Sequence, residues 1–585
     1  MNFHVRRNTG VATYTTNDAR IVLLQRAFLI FGCIMIAKLF FFQVVHADFY
    51  NALASDQHEI YKTLFPSRGE IFVHDTSSLT GDDALYSIAT NKEYSTIYAQ
   101  PRFITDPQKV ADTLAPVLGV LPPELMSKLD KPQDPYEVLI RKVEDDVVDR
   151  VMALGIEGIK VQKETYRFYP EGDITSALTG FVSAADNKKV GQYSLEGYFN
   201  EELTGVAGAL RSEKDVSGRW ISSTAKSFKP AVDGSDIILT IDKNIQYFTC
   251  STLYKRAEEY QATSATAIVA DPFTGKIMAM CSYPTYDPNE YSKVEDIRAY
   301  NNTAIYEAYE PGSIFKPITM AAALDMGAVT PSTTYIDNGE VKIDRFTIRN
   351  SDKKAHGKVD MVEVLNQSLN LGMIFTVQQL GVSNFKQYLE NFGFGKKTGI
   401  MMNTESAGNI SSLEKKGDIY SFTASFGQGI TVTPLQMIQA LSVLANGGYL
   451  IKPYVVEKVI TNGNETVYES KAQKRVLDEK TSTLIGGMMG SVIKYGFGQK
   501  AQVPGYSIAG KTGTAQIPDF ERGGYSTKVN HSFVGYGPID NPAFVMIVKF
   551  EDPKNAGNFA ESTAAPTFGE IAKDVLHYLR IPTDQ

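Results

Sequence analysis

The stretch Ala27–Val45, AFLIFGCIMIAKLFFFQVV, runs for 19 residues interrupted only by Lys38 and Gln43. A helix of that length is about 28 Å long and matches the hydrocarbon core of a bilayer, which predicts one membrane-spanning helix. Arg6, Arg7, Arg20 and Arg26 precede it, and Asp48, Asp56 and Glu59 follow it. Because cationic residues collect on the cytoplasmic side of a span, residues 1–26 are expected to form a cytoplasmic tail and residues 46–585 to lie outside. A cleaved signal peptide is the competing reading, since Val45-His46-Ala47 offers a small-x-small site, but the apolar run exceeds the usual length of about 7–15 residues. A charge near the middle of a span costs about 2.5–3.5 kcal/mol. Lys38 is therefore expected to snorkel, or else to face an acidic or carbonyl partner on a second membrane protein.

The 585 residues exceed what one domain usually holds, and 43% apolar with 21% charged residues is a folded, globular balance. A net charge of -8 gives no footprint for gripping a phosphate backbone, so nucleic acid is not an expected partner. Cys33, Cys250 and Cys281 show no CxxC spacing. At most one bridge can form and none is required, and Cys281, in a predicted strand, reads as a small core residue.

Residues 46–230 mix β-rich runs (Tyr86–Thr90, Ser95–Ala99) with helical stretches (Pro107–Leu118, Asp145–Leu154) and contain no compact cluster of reactive side chains, which predicts a scaffold. The turn-rich segment 222–236 suggests a boundary near residue 231. Beyond it, Asp242 is expected to cap a helix reaching about Tyr260, followed by strands Ala265–Ala270 and Ile277–Ser282 around a turn at 271–275. Residues 310–450 read as helical by period, notably Val359–Leu380 and Pro434–Ala445. Strands are expected again at Tyr506–Ala515, Ser532–Gly537 and Phe544–Phe550, with a closing helix at Pro566–Leu579. The fold class is therefore α+β: a sheet that takes strands from both ends of residues 231–585, with helices on its faces.

Three short segments can do chemistry. In Glu310-Pro311-Gly312-Ser313-Ile314-Phe315-Lys316 the Pro-Gly pair starts a helix and puts Ser313 and Lys316 on one face. A desolvated lysine, or one crowded by another cation, loses enough basicity to take a serine proton, so the pair can act as nucleophile and base. Ser368-Leu369-Asn370 sets two polar groups on a mostly apolar helical stretch, where they need partners. Lys511-Thr512-Gly513-Thr514 lies on a predicted strand along which Gly513 lets a ligand backbone approach. Each segment alone also fits locally satisfied structural side chains. Gly505–Thr512 matches the phosphate-binding pattern GxxxxGK[ST], but the buried strand before it and the helix after it are missing, which argues against nucleotide binding. The seven histidines are scattered, and His531 reads as structural or pocket-lining. No metal and no cofactor is expected.

The order SxxK, then SxN 55 residues later, then KTG 143 residues after that, in an anchored chain, resembles the penicillin-recognising serine transferases. Arg68-Gly69-Glu70-Ile71, SLEGYFNEELTG at 194–205, DPFTGKIMAMCSYP at 271–284, FGQGITVTP at 426–434 and HSFVG at 531–535 are similar to class B penicillin-binding proteins, and the likeness runs from the span to the C-terminus. RSEKDVSGRWI at 211–221 is more similar to the division-type branch than to the elongation-type branch.

The resemblance implies an elongated, dimerisation-like pedestal at 46–230. At 231–585 it implies a transpeptidase domain with a central antiparallel sheet and a helical subdomain. It implies that Ser313 attacks the D-Ala–D-Ala carbonyl of a peptidoglycan stem peptide while Lys316 accepts its proton. Ser368 and Asn370 relay a proton and orient the peptide, and Lys511, Thr512, Gly513 and Thr514 hold the substrate carboxylate. The backbone N–H groups of Ser313 and Thr514 form the oxyanion hole. It further implies acylation by β-lactams, septal cell-wall synthesis at the bacterial inner membrane, and contact with a membrane-spanning glycan polymerase and division proteins. A β-lactam hydrolase or D,D-carboxypeptidase on the same fold, and a catalytically silent structural subunit, are the alternatives.

Overall fold

The computed structural model describes residues 16–45, 59–76, 84–185, 188–213, 227–519 and 522–584. Arg6 and Arg7, the small-x-small site at His46-Ala47, and most of the 211–221 segment lie outside the described residues. The chain forms two compact units, one made of 1–66 with 206–232 and the other of 67–205 with 233–585.

In the first unit, Thr16–Phe40 is one α-helix that continues as a π-helical turn over Phe41–Val45. It starts before the predicted span, because Ile21–Leu24 extend the apolar run through Arg26. Arg20–Val45 is long and apolar enough to cross a membrane. The unit's three-stranded antiparallel sheet joins Glu59–Leu64, Gly208–Glu213 and Ser227–Lys229.

In the second unit a large sheet runs in the order 464–467, 456–461, 236–242, 71–75, 84–99, 137–143, with 159–168 also paired to 84–99. The two short runs expected at 86–90 and 95–99 are one 16-residue strand, Ala84–Ala99. Strand Ile71–Asp75 pairs in parallel with Asp236–Asp242, so residues on both sides of position 231 share this sheet. Beside it, buried Glu196 takes Arg68 Nε at 2.8 Å and Arg167 Nε at 2.6 Å. Burial works against the charged carboxylate, but the two guanidiniums more than offset it and hold its pKa below the usual range. The Arg68-Gly69-Glu70-Ile71 and SLEGYFNEELTG segments therefore meet in one buried ion-pair cluster.

The sheet that carries the candidate site has five antiparallel strands: β1 (Ser264–Ala270), β2 (Ile277–Tyr283), β3 (Ala509–Pro518), β4 (Tyr525–Gly537) and β5 (Phe544–Glu551). Their order is β2-β1-β5-β4-β3. The strands do come from both ends of the domain, as its sequence pattern requires. Alternation sends Ala267, Val269, Cys281, Phe533, Val548 and Phe550 to one face, against α1 (Lys243–Glu259) and the closing helix Ala564–Tyr578. Burying Phe568, Ile571 and Val575 of that helix is worth about 1.5–3 kcal/mol each. The opposite face, with Ile268, Met280, Val534 and Ile547, packs on a helical block. This block includes α2 (Lys316–Asp325), α3 (Asn370–Leu380), α4 (Pro434–Ala445) and α5 (Glu479–Tyr495).

Asp242 caps α1 as predicted, accepting from Asn244 N at 2.9 Å and Ile245 N at 3.0 Å. α4 begins at Pro434 under a reciprocal Thr433–Gln436 capping box, and all twelve of its residues are buried. Three expectations are corrected. The block is not helical throughout: Thr334–Asp337 pairs with Gly357–Asp360, and Glu340–Ile343 with Phe346–Arg349. The helix expected over 359–380 is broken. Met361–Asn366 stops, Ser368 adopts φ 54°, and α3 starts afresh at Asn370. Apolar positions on either side keep a helical period across the break, which hides it. Finally, Cys281 is a core residue but not a free one, because it is disulfide-bonded to Cys250 of α1.

Candidate active site

Gly312–Phe315 forms one turn of 3-10 helix that runs into α2. Residues three apart eclipse in such a turn, so Ser313 and Lys316 share a face. Gly312 has φ 59°, and a Cβ there would lie 2.8 Å from Ala515 Cβ on β3. Its N–H donates to the Gly427 carbonyl at 3.0 Å, and a Cβ on Gly427 (φ 79°) would sit 2.3 Å from the Gly312 oxygen. The serine turn is thus pressed between strand β3 and the FGQG loop, and only glycine fits at either contact.

Lys316 is fully buried, and its Nζ donates to the Ser368 carbonyl at 2.5 Å and to Ser368 Oγ at 3.2 Å. The left-handed backbone at Ser368 is what turns both oxygens toward the amine. Burial, and then the charge of Lys511, push the Lys316 pKa well below that of an ordinary lysine. Lys511 is also fully buried, with its Nζ 3.1 Å from the Thr512 carbonyl, and burial lowers it to about 7. Both effects on Lys316 favour its neutral form.

Asn370 stands at the first position of α3, half-buried, and its side-chain N–H donates to the Arg349 carbonyl at 3.0 Å. The 346–349 hairpin strand therefore orients it, and that strand was not expected from the sequence. On β3, Gly513 pairs with Ser532, and a Cβ on Gly513 would meet Ser532 Oγ at 2.7 Å and Ile314 Cγ2 at 2.8 Å. On that side the glycine is required by the chain's own serine turn. Thr512 and Thr514 alternate with it along the edge strand: Thr512 Oγ1 lies 3.5 Å from Lys511 Nζ, and Thr514 Oγ1 accepts the Ala560 N–H at 3.1 Å. Lys511 lies mid-strand rather than at the start of a helix, so the GxxxxGK[ST] match has no phosphate-binding geometry. His531 is buried with Nδ1 3.0 Å from Thr563 Oγ1, and burial lowers it to about 4, which leaves it neutral.

The fold brings Ser313, Lys316, Ser368 and Lys511 to one place where the serine turn meets β3, with Asn370 at the edge. Two elements not picked out as functional in the sequence complete it: the glycine loop 427–429 and Glu310, the residue before Pro311. The signal was present in both motifs, as paired glycines and as a carboxylate beside the serine turn.

Residues 265–575 match the family model described as penicillin binding protein transpeptidase domain, and residues 63–239 match the penicillin-binding protein dimerisation domain. The chain belongs to the class B penicillin-binding proteins. Among relatives of this penicillin-binding protein, "Stage V sporulation protein D" of Bacillus subtilis (strain 168) is 32% identical over 566 residues, which cover 94% of this chain and 85% of the relative. "Peptidoglycan D,D-transpeptidase FtsI" of Escherichia coli (strain K12) is 28% identical over 506 residues, covering 85% and 82%. The fold is shared with penicillin-binding protein 2X from Streptococcus thermophilus at a TM-score of 0.72 and 24% identity, covering 88% of this chain and 80% of that one. With its apolar N-terminal helix, the chain is a membrane-anchored member of the family.

Proposed function

We propose that this penicillin-binding protein is a serine D,D-transpeptidase that cross-links peptidoglycan stem peptides through an acyl-enzyme on Ser313. The observation that carries the reading is the buried amine of Lys316, held against Ser368 with a second buried lysine beside it, a setting that favours the neutral form a general base needs. The Ser313 hydroxyl gives its proton to Lys316 Nζ as its oxygen bonds to the penultimate D-alanine carbonyl carbon. The oxyanion is received by the backbone N–H groups of Ser313 and Thr514, each worth about 10²–10³ in rate. When the carbon–nitrogen bond breaks, the proton passes from Lys316 by way of Ser368 to the departing D-alanine. An amine of a second stem peptide then attacks the ester, forms the cross-link and restores the Ser313 hydroxyl.

Lys511 supplies the positive charge for the substrate's terminal carboxylate. Thr512, Gly513 and Thr514 line the strand along which the peptide lies, and the Thr514 hydroxyl hydrogen, not used in accepting Ala560, is available to donate. Asn370 orients the peptide from the helix start. β-Lactams present the same carbonyl and carboxylate and acylate Ser313. In this reading residues 231–585 form the catalytic domain and 46–230 the pedestal.

The catalytic part works on the outer side of the inner membrane, with residues 1–26 in the cytoplasm. The Cys250–Cys281 bond supports this, since a structural disulfide forms in an oxidising compartment outside the cytosol. The proposal includes septal synthesis, which fits the likeness to FtsI, in company with a membrane-spanning glycan polymerase and division proteins. The test is incubation of the full detergent-solubilised chain with a D-Ala–D-Ala donor peptide and an amine acceptor. A cross-linked product that Ser313→Ala fails to make supports the reading, and hydrolysed donor alone replaces it with a carboxypeptidase.

A further inference from the structure

The segment leading into the serine turn is laced to the FGQG loop at both ends. Tyr309 and Val432 exchange backbone hydrogen bonds at 3.0 and 2.9 Å, and Gly312 N–H donates to Gly427 O at 3.0 Å. Between these contacts the loop swings away through Gly429 (φ 74°), and the gap is spanned by a side chain. Glu310 Oε1 accepts the Gly429 N–H at 3.0 Å, and Oε2 accepts the Tyr525 hydroxyl at 2.9 Å. Tyr525 opens β4 opposite Pro518, the last residue of β3, so one carboxylate joins the serine turn, the loop beneath it and the far end of the strand pair bearing Lys511–Thr514.

The choice of a carboxylate here is costly. Glu310 is 7% exposed, and no ion pair is made to it among the described residues. A buried carboxylate held only by neutral donors is less favourable than an apolar or amide side chain of the same size would be. A position that served packing alone would not retain such a group three residues before a nucleophile. What the carboxylate provides is two acceptor oxygens at a fixed separation, carried on a side chain long enough to meet two donors approaching from different segments.

We infer that Glu310 is a positioning residue for acyl transfer: it sets the Pro311–Ser313 turn, and with it the Ser313 hydroxyl and N–H, against β3 by clasping Gly429 and Tyr525. The inference rests on the reading of Ser313 as the nucleophile. Acylation is sensitive to this setting because a displacement of about 1 Å in the reacting group lowers rates by about a hundredfold.

The test is stopped-flow acylation of the full chain by a fluorescent penicillin, resolved into the binding constant K and the acylation rate constant k2. Glu310→Ala is expected to lower k2 at least thirtyfold with K within threefold of the parent. Glu310→Gln keeps an oxygen for Gly429 and a group that can pair with the Tyr525 hydroxyl, and is expected to recover k2 to within about fivefold. Tyr525→Phe removes a single hydroxyl from a half-exposed ring, and is expected to lower k2 about three- to tenfold, which keeps the test available should Glu310→Ala fail to fold. Parental k2 in a cooperatively melting Glu310→Ala protein, or in Tyr525→Phe, overturns the inference, as does a loss confined to K. Labelling that persists in Ser313→Ala overturns the underlying reading instead.

Discussion

Lys316 and Ser368, 52 residues apart in sequence, meet through two hydrogen bonds from one amine, to the serine's carbonyl and to its hydroxyl. The contact exists because Ser368 interrupts its helix in a left-handed conformation that exposes both oxygens on one side. An amine in this setting has what a general base needs: burial that disfavours its charge and a hydroxyl through which a proton can leave.

Lys316→Arg is therefore expected to acylate as poorly as Lys316→Met, each slower than the parent by about 10²–10⁴. A guanidinium preserves charge and reach but does not deprotonate in a protein, so it cannot take the Ser313 proton. Stopped-flow acylation by a fluorescent penicillin measures this, and near-parental acylation in the arginine variant would show that Lys316 acts through its charge.

Lys511 should couple carboxylate binding to proton uptake. Its folded pKa of about 7 leaves it largely neutral above that pH, and a bound anion draws a proton back onto it. Affinity for an anionic ligand is expected to fall toward tenfold per pH unit above about 7. Titration calorimetry at pH 8 in buffers of different ionisation enthalpy should show nearly one proton taken up.

The same lysine burdens the fold. Its pKa is lowered on folding, so between about 7 and 10.5 the unfolded chain holds more protons, and stability rises with pH through that window. Each pH unit between the folded and unfolded pKa is worth about 1.36 kcal/mol. Lys511→Met is therefore expected to be more stable than the parent below pH 7, by up to about 5 kcal/mol, with the advantage fading by about pH 10.5. Thermal melts across that range decide it.

Much of this arrangement is legible in the sequence because it follows from local rules. Asp242 before an amphipathic run, Pro434 ahead of a helix and glycines behind it, and the apolar strands near 509, 532 and 544 each declare themselves within a dozen residues. The break at Ser368 does not, since the left-handed serine that ends Met361–Asn366 finds its partner, Lys316, on another helix, which no local pattern records. The hairpins at 334–360 are four-residue strands whose half-exposed alternation is drowned by the helical period around them. Three reactive motifs could be found by spacing. Their neighbours, Glu310, the Gly427–Gly429 loop and Ala560, belong to the site only through tertiary contacts that spacing does not record.

The disulfide is expected to contribute about 3–4 kcal/mol, the loop-closure value for its 31-residue separation. Cys281→Ala should lower the denaturation midpoint accordingly. Thiol counting on the unfolded, unreduced parent should find one free thiol, Cys33.

The central claim, that Ser313 is the acylated nucleophile, is tested most directly by intact mass of the purified full chain after incubation with benzylpenicillin, beside Ser313→Ala. The account predicts a persistent gain of one penicillin in the parent and none in a variant that melts like the parent. An adduct of equal yield on the alanine variant would contradict it.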